Sequence, residues 1–489
     1  MTTSPPLSRR LTVGALAAAF ALSACVSIPP DRQQVKAQAL PAALADPALP
    51  LSAGAWPSPS WWTSYGDTRL TALIEQGLRA APSLAAARAR IGAANAAAAL
   101  QEAQRGGQLG LEAGVNRQRY SGNGLFPEPI GGTFHNDVSV GLKASYDFDW
   151  WGRHRAQVAA ALGEVNARRA DEAQARQVIA AAIARSYAEL QFLQARQANA
   201  AQQMQVAQAL VKERQLRIAH GLARIDEQRG AELDVARLEQ LAARLDAASR
   251  RERETLRALA GGDPKLVLEP SALTASAPPH VLPDALGVQL LAHRADLQAA
   301  RFRVEATLGR VNAAQAAFYP DLNLSAGLGL DALSLGSLLR ANSLTVLVGS
   351  ALQLPIFDNG RLGAALGTVR AQRDEVVADY NQAVINAVRD VAQQADSLHG
   401  IDAELARQAG ARAAAEALRK AARQRIDNGL GERATLLQAE ATVLSQADIA
   451  LQLRQAQRQA EIALNQTLGG GFDAAAFSPT STLAQRRHD

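Results

Sequence analysis

The chain has 489 residues, of which 48% are hydrophobic but only 4% aromatic, and its formal net charge is +5. Alanine supplies much of the apolar fraction. Because alanine forms helices well but buries little area, the composition favours long, closely packed helices over a broad globular core. Basic and acidic residues are nearly balanced and interspersed, so a nucleic-acid partner is not indicated.

The N-terminus has the parts of a secretory signal. Arg9 and Arg10 precede an apolar run over 11–22 that is too short to span a membrane as a helix. The sequence Leu-Ser-Ala-Cys that ends at Cys25 resembles the lipobox of bacterial lipoproteins. This resemblance implies that a signal peptide over 1–24 is removed and that Cys25, the single cysteine, carries lipid. The alternative is an ordinary signal peptide beside a free cysteine.

A lipid anchor and a proline-rich tether are predicted over 25–65, because prolines gather between Pro29 and Pro59 and favour an extended chain. One acyl chain binds a membrane only marginally, whereas two or more anchor it stably. Val26 stands where lipoproteins that stay in the inner membrane tend to carry Asp. The resemblance to lipoproteins therefore favours the outer membrane, with the protein extending into the periplasm.

Several segments recur in the same order along the chain, which predicts a tandem structural repeat. The first repeat covers 66–270, the second covers 271–470, and a C-terminal tail follows over 471–489. Each repeat reads as a helix, a pair of strands, a long helix, a turn and another long helix. The matching segments are Leu84–Ile91 with Leu297–Val304, Leu109–Gly114 with Leu322–Gly327, Phe148–Arg153 with Phe357–Arg361, and Arg217–Leu222 with Arg425–Leu430.

Apolar and polar residues alternate in two segments of each repeat, which predicts strands over about 108–119, 137–150, 321–331 and 343–356. Strands of this length with one wet face fit a transmembrane β-barrel, and aromatic residues gather at their ends as in interfacial belts. The alternative is a small soluble sheet with one buried face. Four strands cannot close a barrel and lipid does not tolerate an open edge, so membrane strands require several chains.

The polar faces of these strands carry candidate lumen-facing residues, for which plain solvation is the alternative. They are Lys143, Asp147, Asp149, Asp321 and Asn323.

Long segments without proline follow each strand pair. They predict paired helices over about 152–219 and 222–260, and again over about 360–428 and 430–468. The first would be roughly 100 Å long at 1.5 Å per residue, so it needs partner helices along its length. Coiled-coil spacing is present in the following helix, at Leu238, Leu241, Leu245 and Ala248.

Two Gly-Leu pairs mark the turns between paired helices, because a left-handed residue is needed there: Gly221 with Leu222, and Gly429 with Leu430. Charged residues follow both turns and form a candidate latch that holds a closed tip and is released when a partner docks. The alternative is a solvated helix start with favourable N-terminal acids. The latch residues are Arg224, Asp226, Glu227, Arg229, Glu432 and Arg433.

The lipobox, Trp61-Trp62 ahead of Asp67, the duplicated strand-helix units and the Gly-Leu turns together resemble the outer-membrane factor family of TolC-like ducts. The lipobox with Phe148–Arg153 is most similar to its NodT-like efflux lipoprotein branch. The resemblance implies a mainly α protein with a membrane β-barrel. It implies a homotrimer in which each protomer gives four strands to a twelve-stranded barrel, above a long α-helical barrel in the periplasm.

The same resemblance implies a function and partners. Such a duct passively conducts substrates to the exterior from a periplasmic adaptor protein and an inner-membrane pump. Family members often constrict the periplasmic tip with a ring of Asp residues after the second turn. The matching positions here are Thr435 and Gln438, so an acidic gate is not predicted.

Motifs of enzymes are missing from the sequence. It has no His-Glu-x-x-His, Gly-x-Ser-x-Gly or Walker-type Gly-Lys-Ser/Thr motif, and its 7 histidines lack metal-ligand spacing. We therefore expect a protein that is not an enzyme and has neither cofactor nor metal. Two other hypotheses stay open: a lipid-anchored periplasmic coiled-coil scaffold without channel activity, and an envelope hydrolase, for which a nucleophile constellation is lacking.

Overall fold

The computed structural model describes residues 27–38, 52–273, 281–283 and 289–474. The predicted signal peptide, the predicted lipid attachment at Cys25, part of the tether and most of the tail lie outside the described residues.

Among the described residues, the strands are β1 (Ser52–Gly54), β2 (Gln108–Arg119), β3 (Phe134–Phe148), β4 (Val281–Pro283), β5 (Asp321–Ala332) and β6 (Leu344–Gln353). The helices are α1 (Thr68–Ala80), α2 (Pro82–Ala103), α3 (Arg153–Ala219), α4 (Ile225–Leu259), α5 (Gln289–His293), α6 (Ala295–Ala316), α7 (Leu335–Leu338), α8 (Arg361–Asp427) and α9 (Arg433–Thr467). Short 3₁₀ helices cover Trp61–Tyr65 and Ala341–Ser343.

The duplication predicted from sequence is visible in the helix lengths. Helices α3 and α8 have 67 residues each, and α4 and α9 have 35 each. At 1.5 Å per residue, α3 and α8 are each about 100 Å long.

Two compact units divide the chain. Of the described residues, the first unit contains 27–37, 91–168 and 300–380, and the second unit contains the rest. Each unit draws on both predicted repeats. The repeat boundaries at 66, 270 and 470 therefore stay predictions from sequence and do not coincide with the compact units.

In the first unit, four antiparallel strands form one sheet in the order β2-β3-β5-β6. Strands β3 and β5 join the two halves of the chain, and β2 and β6 form the edges. The connections to α2, α3, α6 and α8 leave from one end of the sheet, because the strand termini at 108, 148, 321 and 353 meet there. The strand-connecting segments 120–133 and 333–343 lie at the opposite end.

The ends of two strands differ from the sequence prediction. Strand β3 starts at Phe134 rather than at 137, because its first residues still pair with the end of β2. It ends at Phe148 rather than at 150, since Asp149 turns away to start α3. Strand β6 ends at Gln353 rather than at 356, and Pro355, which has no N–H to give to a ladder, follows two residues later.

The N-terminal segment over 27–38 is held against α8 in the first unit. Ile28 packs on a cluster of Val311, Phe318, Leu362 and Leu366. Asp31 accepts hydrogen bonds from both terminal nitrogens of Arg373, at 2.6 and 3.1 Å, and Arg373 is 3% exposed. The Arg373 guanidinium lowers the pKa of Asp31. We call residues 28–34 the strap.

The second unit contains the helical core. Leu245 of α4 is buried against Leu193 and Ala200 of α3, with Leu241 and Ala248 packed beside them. The predicted coiled-coil spacing therefore marks a real helix–helix contact. A larger core contains Trp61, Trp62, Ile74, Ile183, Leu190, Leu256 and Ile462. In the same unit, β1 and β4 pair in parallel.

A buried carboxylate lies in this unit on α9. Glu461 is 4% exposed, and its Oε2 is 3.1 Å from Nε of Arg458. The guanidinium of Arg458 in turn lies 4.4 Å over the ring of Tyr65. Burial raises the pKa of Glu461 to about 7; Arg458 opposes this rise and Asp402 adds to it.

Replacing Glu461 by Gln should therefore make stability less dependent on pH. The folded pKa of about 7 exceeds the ordinary glutamate pKa of 4.5, so this group stabilises the fold below pH 4.5, and the contribution is lost as pH rises through 7. Between pH 5 and 8 we expect the free energy of unfolding, measured with urea in detergent, to fall by roughly 2–4 kcal/mol less in Glu461→Gln. The exposed Glu416→Gln serves as control. A pH dependence equal to wild type in Glu461→Gln would contradict the assignment.

Candidate functional site

One face of the sheet is apolar across all four strands. The cross-strand register places Leu111, Leu142, Leu328 and Val346 in one row, with Ala113, Val140, Leu330 and Leu344 in the next. This face is open in the protomer, since Leu111, Leu328 and Val346 are 69%, 53% and 67% exposed. An exposed apolar surface of this extent is typical of a face that meets lipid or another protein.

The height of the apolar face matches a bilayer. It runs on β3 from Val138 to Phe148, ten residues further. Ten residues span about 34 Å along a strand, and a tilt of about 40° reduces this to roughly 25 Å along the membrane normal. That is the height of the apolar band on outer-membrane barrels.

Aromatic residues gather at the end of the sheet from which the helices leave, as predicted. Trp151 stacks on Tyr319 with ring centroids 4.5 Å apart, and its Nε1 donates to the Pro320 carbonyl at 2.9 Å. Tyr146 contacts Phe148 edge to face at 5.0 Å. Amphipathic rings with a satisfied polar atom favour a membrane interface.

Four of the five predicted lumen-facing residues lie on the polar face. Lys143 pairs with Glu112 of the neighbouring strand, and Asn323 donates to Asp147. Asp321 begins β5, with a carboxylate oxygen 4.0 Å from Nη1 of Arg153. The structure therefore places acid, base and amide groups on this face, largely paired with one another.

Glycines in the middle of the polar face leave space above the sheet, because they have no side chains there. Gly141 and Gly329 lie directly opposite each other on β3 and β5. A Cβ on Gly329 would lie 2.8 Å from the Val140 carbonyl oxygen and 3.0 Å from the Cα of Gly141. In the adjacent row, Gly327 lies opposite Lys143. The backbones approach closely here and leave space above the polar face.

Asp149 does not lie on a strand face, and that prediction was wrong. Its carboxylate accepts hydrogen bonds from the backbone N–H groups of His154 and Arg155, both at 2.9 Å, and so caps the start of α3. Asp358 does the same for α8 through Gly360 and Leu362, at 3.0 and 2.8 Å. The duplicated Phe-Asp…Gly-Arg motif is thus a helix cap. The sequence feature that could have indicated these caps is an Asp just before a long helical segment.

The predicted Gly-Leu turns have the same geometry in both repeats. Gly221 and Gly429 each have φ of +72°. Leu222 N–H donates to the Arg217 carbonyl and Leu430 N–H to the Arg425 carbonyl, both at 2.8 Å. This is a Schellman end, which requires a left-handed residue. Because the turns occupy three more residues than predicted, the next helices begin at 225 and 433, not at 222 and 430.

Two arginines near the end of α3, which sequence reasoning missed, hold the acids of the turns. Arg214 pairs with Glu227 and Arg217 with Glu432. Arg217 lowers the pKa of Glu432, and Glu432 raises the pKa of Arg217. The pair joins the end of α3 to the start of α9, that is, the first helical pair to the second. The repetition of the Arg217–Leu222 motif at Arg425–Leu430 was the sequence feature that could have indicated a role for Arg217.

The other predicted latch residues have local roles. Arg224 lies 3.2 Å from Asp226, and Arg229 lies 2.8 Å from Glu232 on the same helix. Within the described residues, Arg433 has no ion pair. Thr435 and Gln438 are exposed on α9, while Ala434, Leu436 and Leu437 are buried.

Two features are absent from the described segments. These segments contain no helix that is both long and apolar enough to cross a bilayer. They also contain no group of three or more His, Cys, Asp or Glu side chains placed to hold a metal ion.

Comparisons with known proteins agree on one family. The profile described as Outer membrane efflux protein matches residues 73–262 and 286–470. The multidrug resistance outer membrane protein MdtQ of Escherichia coli O6:H1 is 35% identical over 475 residues, which is 92% of this chain and 96% of MdtQ. MdtP of Shigella flexneri, also named a multidrug resistance outer membrane protein, is 34% identical over 96% of this chain and 98% of its own.

Solved structures show the same fold. The outer membrane protein VceC of Vibrio cholerae superimposes with a TM-score of 0.77 and 32% identity, covering 86% of this chain and all of VceC. The CmeC outer membrane channel of Campylobacter jejuni, at 18% identity, shares the fold with a TM-score of 0.80 over 94% of this chain and 97% of its own. These comparisons confirm the predicted mainly α fold with its strands for a membrane β-barrel. The chain belongs to the outer membrane efflux protein family, and it is an outer-membrane efflux channel protein, not an enzyme.

Proposed function

We propose that the chain is one protomer of a trimeric duct, anchored by lipid at Cys25, that passively conducts substrates from a periplasmic adaptor and an inner-membrane pump to the exterior. The observation that carries the proposal is the sheet of β2, β3, β5 and β6. It has an apolar face of bilayer height that is exposed over most of its rows, a polar opposite face and two open edges.

The open edges support assembly from several copies. Strand edges with unpaired N–H and C=O groups are not tolerated in lipid, so a membrane sheet must close. Strand β6 of one copy can pair with β2 of the next, and three copies of four strands give a closed barrel. A barrel of twelve strands is wider than one of eight strands, whose interior side chains fill, and the glycines of the polar face keep the lumen open.

The long helices support a periplasmic conduit. Helices α3 and α8 are each about 100 Å long, and Ala-rich packing allows them to lie close together. The turns at Gly221 and Gly429 then offer the surface that meets an adaptor. Two relatives are named as multidrug resistance proteins, which supports drugs as one class of cargo for this duct.

Reconstitution tests the proposal. The purified, lipidated chain should migrate as an oligomer that resists heating in detergent, with three times the mass of the protomer. It should also make liposomes permeable to ions and small solutes. Cys25→Ser should release the chain from lipid attachment without changing the residues that line the duct. A monomer that leaves liposomes impermeable would contradict the duct and favour the periplasmic scaffold.

A further inference from the structure

The apolar face of the sheet ends in two arginines. On β2 the side chains of Leu111 and Val115 lie on this face, and residues 117 and 119 continue the same alternation. In the register with β3, Arg117 lies opposite Asn136 and Arg119 opposite Phe134. The guanidinium of Arg117 lies 5.4 Å from the centre of the Phe134 ring, which is 61% exposed.

These two positive charges are not balanced within the protomer. Among the described residues, neither Arg117 nor Arg119 has an ion pair or a hydrogen bond from its side chain. The carboxylate on the adjoining part of β3, Asp137, lies opposite Asn116 and therefore faces the polar side of the sheet. Other arginines in the described chain often lie beside a carboxylate, as Arg153 lies near Asp321. Arg117 and Arg119 combine the lack of a carboxylate partner with a position at the end of the apolar face.

The position of the pair relative to the apolar band is informative. The last apolar row contains Val115, Val138 and Ala332, and the arginines lie one and two rows beyond it. The interfacial rings of Tyr146, Phe148, Trp151 and Tyr319 and the start of the long helices are at the other end of the sheet. If the helices extend into the periplasm, as in the function proposed above, the arginines lie at the headgroup level of the outer leaflet.

We propose that Arg117 and Arg119 bind the phosphate groups of a phosphorylated lipid in the outer leaflet. A guanidinium offers a planar fork of donors that matches phosphate oxygens in a bidentate way. A ring beneath it holds the cation at the interface without using its donors. On the lipid face a charge costs little near the interface but several kcal/mol at the midplane, so this is where unpaired arginines can persist. A trimer would present three such pairs around its outer rim.

Native mass spectrometry of the full, lipidated oligomer in mixed micelles tests this. The micelles contain bisphosphorylated lipid A or, as a comparison, zwitterionic phosphatidylcholine. Wild type should retain lipid A preferentially. Arg117→Gln with Arg119→Gln should retain it about thirtyfold less, from about 1 kcal/mol per arginine near an anionic surface. Arg117→Lys with Arg119→Lys should retain an intermediate amount.

Controls separate the possible outcomes. Arg79→Gln with Arg237→Gln removes the same charge from exposed sites on α1 and α4 and should retain lipid A as wild type does. If the Gln variant does not assemble, loss of wild-type retention at high salt tests the same contacts, because salt screens exposed charges. Equal retention by wild type and an assembled Gln variant would overturn the proposal. Displacement of lipid A by millimolar inorganic phosphate would also overturn it, in favour of a site for free phosphate. An oligomer that conducts but fails these tests leaves the duct proposal intact.

Discussion

Replacing Glu432 by Gln is expected to raise the single-channel conductance in planar bilayers several-fold. The carboxylate of Glu432 is held by Arg217, which ties the end of α3 to the start of α9. Removing its charge leaves Arg217 without this partner and frees the two helical pairs at the turns. Because Arg217 lowers the pKa of Glu432, the pair should persist at neutral pH. It should be lost only as pH falls below the usual carboxylate range.

The structure supplies a matched control for this latch. Arg433 is the next residue and is also exposed, but it has no ion pair within the described residues. We expect Arg433→Gln to conduct as wild type does. If proximity to the turn alone made a residue part of the latch, Arg433→Gln would raise the conductance as well. Exchanging the charges, with Arg217→Glu and Glu432→Arg together, should restore a low conductance. If Glu432→Gln conducts no more than Arg433→Gln, the Arg217–Glu432 pair is not a latch.

Replacing Leu328 by Arg should prevent stable assembly in the membrane. Leu328 lies in the middle row of the apolar face, beside Leu142 and Val346. An arginine at the bilayer midplane of a barrel costs about 2–4 kcal/mol, and the cost applies to each copy in an oligomer. Semi-native electrophoresis of heated and unheated samples should show loss of the heat-resistant oligomer, together with lower yield in the outer membrane.

Ser325→Arg places the same side chain on the opposite face of the same strand. Ser325 lies in one row with Ser145 and Gly349, on the polar side of the sheet. There the arginine meets water, so the oligomer should form in normal amounts while its conductance changes. If the two variants assemble equally well, the two faces do not differ in environment and the sheet does not span the membrane.

The fold could be predicted from sequence because its elements are long and strongly periodic. Alternation of apolar and polar residues over 108–119 and 321–331 indicates strands whichever chain they pair with. Segments without proline and rich in alanine indicate long helices. The coiled-coil spacing at Leu241 and Leu245 predicts that this face packs on another helix, whichever helix that is. These signals are local, so one sequence suffices to read them.

The site depended on contacts between residues far apart in the chain, and there the prediction was incomplete. The pairing of Arg217 with Glu432 joins residues 215 positions apart, and sequence spacing gives no measure of such a distance. The alternation alone predicts that Asp149 lies on a strand, but capping of α3 satisfies free backbone N–H groups and determines its position. Local rules identified the charged turns but could not identify which charges meet.

The strap limits where the proposed lipid at Cys25 can go. Ile28 is held in the cluster with Phe318 and Leu362, which lie just before β5 and at the start of α8. Only two residues, Val26 and Ser27, lie between Cys25 and Ile28, and the three Cα–Cα steps span roughly 10 Å when extended. Acyl chains on Cys25 could therefore enter only the leaflet nearest the junction of strands and helices. The lipid would then fix the depth of the sheet in the bilayer, in addition to keeping the protein at the membrane.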